Sequence, residues 1–192
     1  GRYVAFASLA SNLVAGDTNG TADIFVRDLA TGSVTLASPG FWEGVPANFG
    51  SYAPRITPDG RYVVFTSDAD NLVRVDGNEA SDVFVTDLLT GVIERVSTDG
   101  AGREVDGSSS APWITPDGRF VAFESEATNL VEGDDNGTYD VFVKDRATGA
   151  TVRVSASVAG VGGNADSRDP QLSADGRYVV FTSNADNLVR GD

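Results

Sequence analysis

The sequence predicts an all-β fold built as a tandem array of four-stranded antiparallel sheets. Three observations carry that prediction. The segment Gly1-Arg2-Tyr3-Val4-Ala5-Phe6 returns as Gly60-Arg61-Tyr62-Val63-Val64-Phe65, as Gly118-Arg119-Phe120-Val121-Ala122-Phe123 and as Gly176-Arg177-Tyr178-Val179-Val180-Phe181. Each full copy holds four short runs of alternating apolar residues bounded by turn formers. No segment shows the 3.6-residue periodicity of an amphipathic helix. A fixed period of roughly 58 residues marks one supersecondary unit copied in tandem, each copy burying its apolar face on its neighbours.

The second copy shows each element in turn. Ser51 to Thr57 is a short strand, closed by Pro58-Asp59-Gly60. Proline presets φ and glycine accepts positive φ, so this is a tight reversal. Arg61 to Ser67 is the second strand, and a longer loop runs through Asn71-Leu72-Val73 to Asp82. Val83 to Asp87 is the third strand, Leu89-Thr90-Gly91 turns the chain, and Val92 to Ser97 is the fourth. Val and Phe dominate these runs, and both favour strands.

Four-stranded units in tandem define a β-propeller. The whole chain, 1–192, reads as one propeller array with repeats starting near 1, 60, 118 and 176, the last truncated. In blade order the first blade contributes its last three strands, the next two are complete, and the last has two. That is an incomplete propeller of about three blades plus a partial fourth. Such an array is not expected to close alone. Either further blades belong to the same polypeptide, or separate chains join head to tail into a ring or filament. The chain opens inside a repeat and contains no Met, so it is expected to be a mature product or a piece of something longer.

The pattern Pro54 to Ser67, repeated at Pro112 to Ser125 and Pro170 to Ser183, is joined by Asp23 to Asp28, Asp82 to Asp87 and Asp140 to Asp145. Together these resemble the WD-repeat-like propeller blades of the TolB type, over essentially the whole chain. The resemblance implies a blade order in which both tight turns fall on one face and both long loops on the other. It does not imply one function, because this blade type serves many roles.

Composition narrows the rest. Twenty-eight acidic against fourteen basic residues give a net charge of −14. With no basic footprint, nucleic-acid binding is not expected. No apolar run approaches the length of a membrane span, so no membrane insertion is expected. There is no Cys and no His. That removes disulfides, thiol catalysis, a His-based triad and the usual zinc ligands. No Gly-X-Ser-X-Gly elbow is present, and carboxylate pairs among so many acids carry little weight. The chain therefore reads as a non-enzyme. An acidic, cysteine-free repeat protein fits an extracellular or cell-surface bacterial setting.

The loops between second and third strands carry the sharpest chemical signal. Asp17, Asn19 and Asp23 recur as Asp76, Asn78 and Asp82, and as Asp134, Asn136 and Asp140. Oxygen donors at such spacing can converge on a hard cation, which suggests structural calcium. No Glu stands at a twelfth position to complete such a loop. The same residues also suit plain turns, because Asp and Asn bond their own backbone and Asn-Gly favours a tight reversal. The recurring Asn-Leu-Val triplets at Asn12, Asn71, Asn129 and Asn187 read as structural, with the Asn satisfying loop backbone groups. The Asp-X-X-Thr-Gly turns, as at Asp145 to Gly149, read the same way.

The copies differ most in the loops leading to the next blade. Phe41-Trp42 is aromatic where its counterparts are small and polar. Exposed aromatics mark an interface or a sugar-stacking surface, and buried ones would cover a local core. Trp113 stands where other copies have Arg55 and Gln171, at the inner edge of the array or between blades. The reading is a non-enzymatic extracellular β-propeller scaffold or interaction protein that self-assembles head to tail or continues into further blades. The alternatives are a carbohydrate- or peptide-binding module on the long-loop face, with a surface glycan or peptide as partner, and the propeller domain of a larger hydrolase.

Overall fold

The computed structural model describes residues 1–191. Asp192, which matches Asp17, lies outside the described residues. Among the described residues there are thirteen strands and no helix, so there is no helix among them long and apolar enough to cross a membrane. β1 (Tyr3–Ser8), β2 (Asp23–Asp28) and β3 (Val34–Leu36) make a three-stranded sheet. β4 (Ser51–Ile56), β5 (Tyr62–Ser67), β6 (Asp82–Asp87) and β7 (Val92–Arg95) make the first full blade. Counting the three-stranded sheet as the first blade, that is the second blade, and β8 (Ser109–Ile114), β9 (Phe120–Ser125), β10 (Asp140–Asp145) and β11 (Thr151–Arg153) make the third. β12 (Ser167–Leu172) and β13 (Val179–Ser183) pair as the start of a fourth sheet. Every pairing is antiparallel between sequence neighbours, which short connections permit. The architecture is the partial propeller that the repeats predict.

Side-chain alternation sorts each blade into two faces. Val63, Phe65 and Phe84 of the second blade pack on Ile24 and Val26 of the first. Val64, Val83 and Val85 of the second blade pack on Val121, Phe123 and Phe142 of the third. Phenylalanines therefore face the preceding blade, and the smaller β-branched residues face the following one. Within each blade the two Phe rings stack across paired strands, with centroids 5.9 Å apart for both Phe65–Phe84 and Phe123–Phe142.

A second contact repeats between blades. A Cβ on Gly60 would lie 2.2 Å from the Tyr3 ring, one on Gly118 2.3 Å from the Tyr62 ring, and one on Gly176 2.5 Å from the Phe120 ring. Each aromatic is a knob seated on the next blade's turn glycine. These glycines also have positive φ, so the residue type meets two demands at once.

The tight turns are held by an arginine clamp. Arg61 pairs with Asp87 at 2.8 Å and Arg119 with Asp145 at 2.8 Å, and the aspartates also accept the Leu89 and Ala147 amides. The arginine partner holds the Asp145 carboxyl down at about 2. The Asp-X-X-Thr-Gly motif is thus structural. The Asn triplets are too: Asn71 accepts the Asn48 amide and donates to the Pro46 carbonyl, and Asn187 repeats both bonds with Asn164 and Gly162. Leu72 and Leu130 beside them are buried.

Candidate functional site

The long loops do share one face. The loop 68–81 of the second blade is zipped to the preceding connection through Asn48, Asp70 and Asn71. Three features lie on this face or beside it: the acidic loops, an aromatic connection, and a cavity between the inner strands.

In the acidic loops, the structure brings each aspartate pair together but supplies its own cation. The Arg95 guanidinium lies 3.0 Å from Asp76, 3.2 Å from Asp82 and 2.8 Å from Glu104. Asp76, Asp82 and Glu104 each place an oxygen within 4.8 Å of the others, so they are the metal-like cluster of the described residues. Arg153 lies 3.0 Å from Asp134 and 3.5 Å from Asp140. In these two blades a guanidinium lies between the carboxylates that the calcium expectation brings together.

The asparagines of these loops make turn bonds. Asn19 and Asn136 turn their amide nitrogens to Asp23 and Asp140, at 2.7 and 2.8 Å. Their oxygens, and that of Asn78, accept the amides of Thr21, Thr138 and Ala80, which is the turn geometry. Asp23, Asp82 and Asp140 accept the hydroxyls of Ser38, Ser97 and Ser155, and those hydroxyls accept the amides that open the following strand. In the first blade, strand register puts Leu36 opposite Phe25, where Arg95 faces Phe84 and Arg153 faces Phe142. Asp17 and Asp23 are buried there without the guanidinium. Two carboxylates and an amide nitrogen fall short of the six to eight oxygens calcium takes.

Burial sets the charge states. It raises Asp76 to about 7, helped by the charge of Asp82, and raises Asp134 to about 6, helped by Asp140. Asp23 and Asp82 are also raised, chiefly by burial. Glu104 is lowered despite partial burial, by the Gly77 amide and Arg95. Of the two, Asp76 is therefore the more readily protonated.

Arg95, Arg153 and Glu104 were not singled out by sequence. The arginines follow their loops as ordinary polar positions of an alternating strand. Their identical place in two copies was the available signal.

Phe41 and Trp42 are exposed, at 46% and 63%, and stack edge to face with centroids 4.9 Å apart. They do not cover a local core. The same connection carries Phe49, also exposed. Trp113 lies on β8, the innermost strand of its blade, with the Arg55 guanidinium 4.0 Å above its ring. It lines the inner edge and bridges two blades at once. The inner strands carry a bulge at one shared place, where Ala53, Ala111 and Asp169 adopt φ of 50°, 51° and 55° before a proline. They border a cavity of about 360 Å³ between the inner strands of three blades. Bulges of this kind bend the strand and re-aim its side chains.

The fold and its loop face define an open β-propeller segment. No family model and no curated protein matches the chain. Among solved structures it is similar to TolB from Acinetobacter baumannii, with 20% identity, 96% of this chain and 36% of that chain covered, and a TM-score of 0.52. It is similar to the tricorn protease at 17% identity, covering 95% of this chain and 14% of that one, with a TM-score of 0.54. It is also similar to oligogalacturonate lyase from Vibrio parahaemolyticus at 13% identity, covering 96% and 43%, with a TM-score of 0.56. At these identities the likeness shows the fold. The chain spans less than half the length of each of these structures.

Proposed function

We propose that this chain is a non-enzymatic propeller scaffold, extracellular or on a bacterial surface, whose end faces receive further blades head to tail, from further copies or from the same polypeptide. One observation carries the proposal. Three aromatic knobs seat on three glycines between successive blades, and a fourth knob, Tyr178, is 59% exposed beside Val180 at 71%. At the other end Gly1 has open space where its counterparts receive a ring, and Val4 is 43% exposed. The trailing face of one copy repeats the surface that the leading face of another is shaped to meet. Seating two such side chains stabilises by about 1.5–3 kcal/mol each. The contact is heterologous, so it gives a ring or a filament rather than a two-fold dimer. The acidic, cysteine-free composition is in keeping with an extracellular setting.

Sedimentation velocity of the wild type and Tyr178→Arg tests this. Concentration-dependent oligomers that the substitution reduces to monomers are expected. A wild type that stays monomeric at high concentration overturns association between copies and leaves further blades of the same polypeptide as the occupants of the end faces. A second reading, a glycan- or peptide-binding module, draws support from the exposed Phe41–Trp42 pair. Under that reading Trp42→Ala abolishes binding to a glycan array and leaves sedimentation unchanged.

A further inference from the structure

A separate feature of the long-loop face points to a partner. In the second blade a cavity of about 400 Å³ is lined by Phe49, Asp68, Asp70 and Glu79. Phe49 is 54% exposed, so an aromatic ring stands in water among three carboxylates. Asp68 accepts the Ser81 hydroxyl and Asp70 accepts the Asn48 amide, both neutral donors. Neither these two nor Glu79 is in an ion pair among the described residues, in contrast to Asp76, Asp82 and Glu104 a few residues away. Asp68 and Asp70 are thus held in place, and no ion pair among the described residues compensates the three charges.

Comparison of the copies shows that the blade architecture does not require this arrangement. Where this blade has Phe49, the next two connections have Gly107 and Ala165. Where it has Glu79, the sibling loops have Gly20 and Gly137, with φ of 69° and 62°. Glu79 holds the same left-handed conformation at φ 56°, which a side chain adopts at a cost. Asp68 corresponds to Leu9, Glu126 and Asn184, and Asp70 to Ser11, Thr128 and Asp186, the last repeating the asparagine bond of Asp70. Only the second blade combines an aromatic ring with three carboxylates.

We infer that this surface docks a basic segment of a partner protein, with one lysine or arginine side chain over the Phe49 ring and between Asp68, Asp70 and Glu79. The ring attracts a cation through its quadrupole, and the carboxylates add charge complementarity. The aliphatic stem of such a side chain covers the exposed ring, which a bare metal ion would not do. The net charge of −14 steers basic partners toward the chain as a whole, while the pocket fixes where they seat.

The test is fluorescence anisotropy with labelled peptides, one bearing spaced lysines and arginines and one with those residues replaced by glutamine. The wild type is expected to bind the basic peptide only, more weakly as salt rises. Phe49→Ala should weaken binding about ten-fold, the loss of one desolvated cation–aromatic contact. Glu79→Gly restores the sibling residue and relieves the backbone, so it should weaken binding while leaving the protein at least as stable. Glu43→Gln, in the same connection as Phe49 but outside the cavity lining, should change little. No binding overturns the inference. So does binding that Phe49→Ala leaves intact, or that Glu43→Gln reduces as much as Glu79→Gly, since either means general attraction to an acidic surface. If Phe49→Ala instead changes sedimentation, the pocket takes a second copy of the chain and the inference also falls. The Tyr178 experiment is independent of every one of these outcomes.

Discussion

The Tyr62 ring occupies the space that a side chain on Gly118 would need, with the nearest ring carbon 2.3 Å from where the Cβ would stand. One residue thereby fixes the spacing of two blades. Gly118→Ala forces the ring out of its seat and places an alanine at φ 74°. We expect a loss of about 3 kcal/mol, from overpacking together with the left-handed backbone. Gly91 has nearly the same φ but open space around it, so Gly91→Ala should cost about 1 kcal/mol. Urea unfolding of both variants separates the packing contribution from the backbone one.

Arg95 is the counter-charge of three carboxylates and is itself largely buried. Arg95→Leu leaves them facing one another, at an expected cost of about 3–5 kcal/mol. The first blade is that variant in natural form, with Leu36 at the matching register position. Leu36→Arg should therefore raise the melting temperature, by supplying Asp17 and Asp23 with the partner their siblings have. Thermal unfolding of the two variants should move in opposite directions.

Stability should fall as pH rises from about 4 to about 7. Asp76 and Asp134 are raised to about 7 and about 6 in the folded chain, above the usual carboxylate range. The folded state therefore holds these protons more tightly than the unfolded state. Their stabilising contribution is full below the unfolded value and is lost as pH rises through the folded values. Asp28, Asp87 and Asp145 act in the opposite sense, because their arginine partners lower them. Their contribution is lost as pH falls below about 4. A melting-temperature profile with its maximum in mild acid is expected. Asp76→Asn should flatten the decline on the neutral side.

Excess chelator should leave the melting curve unchanged. Guanidinium groups provide the counter-charge in two acidic loops, and the asparagines of all three make turn bonds. A clear drop in melting temperature on chelation would contradict this account of the loops, because a folded-state ligand stabilises in proportion to its occupancy.

Blade architecture was legible from sequence because it rests on local signals. Strand alternation, the Pro-Asp-Gly turns and the returning Gly-Arg-Tyr-Val segment each act within a few residues. The acidic loops were legible as loops but not in their chemistry. Their cation comes from Arg95 and Arg153, on strands whose register with β6 and β10 puts the guanidinium beside the carboxylates. An arginine on an alternating strand reads as solvent-facing until that register is known. The cavity around Phe49 was illegible for a similar reason. Its four lining residues come from two loops, joined by long-range bonds such as those of Asn48 to Asp70 and Asn71. Exposure of Phe41 and Trp42 likewise depends on how that connection folds back, through Gly40 and Val45.

The central claim is that the two end faces are complementary, and a mixing experiment tests it most directly. Phe6→Asp spoils the leading face and leaves Tyr178 intact, while Tyr178→Asp spoils the trailing face and leaves the leading face intact. Head-to-tail association predicts that each variant alone sediments as a monomer and that the mixture forms a discrete one-to-one dimer. A mixture that stays monomeric, or either variant associating by itself as the wild type does, would contradict the account.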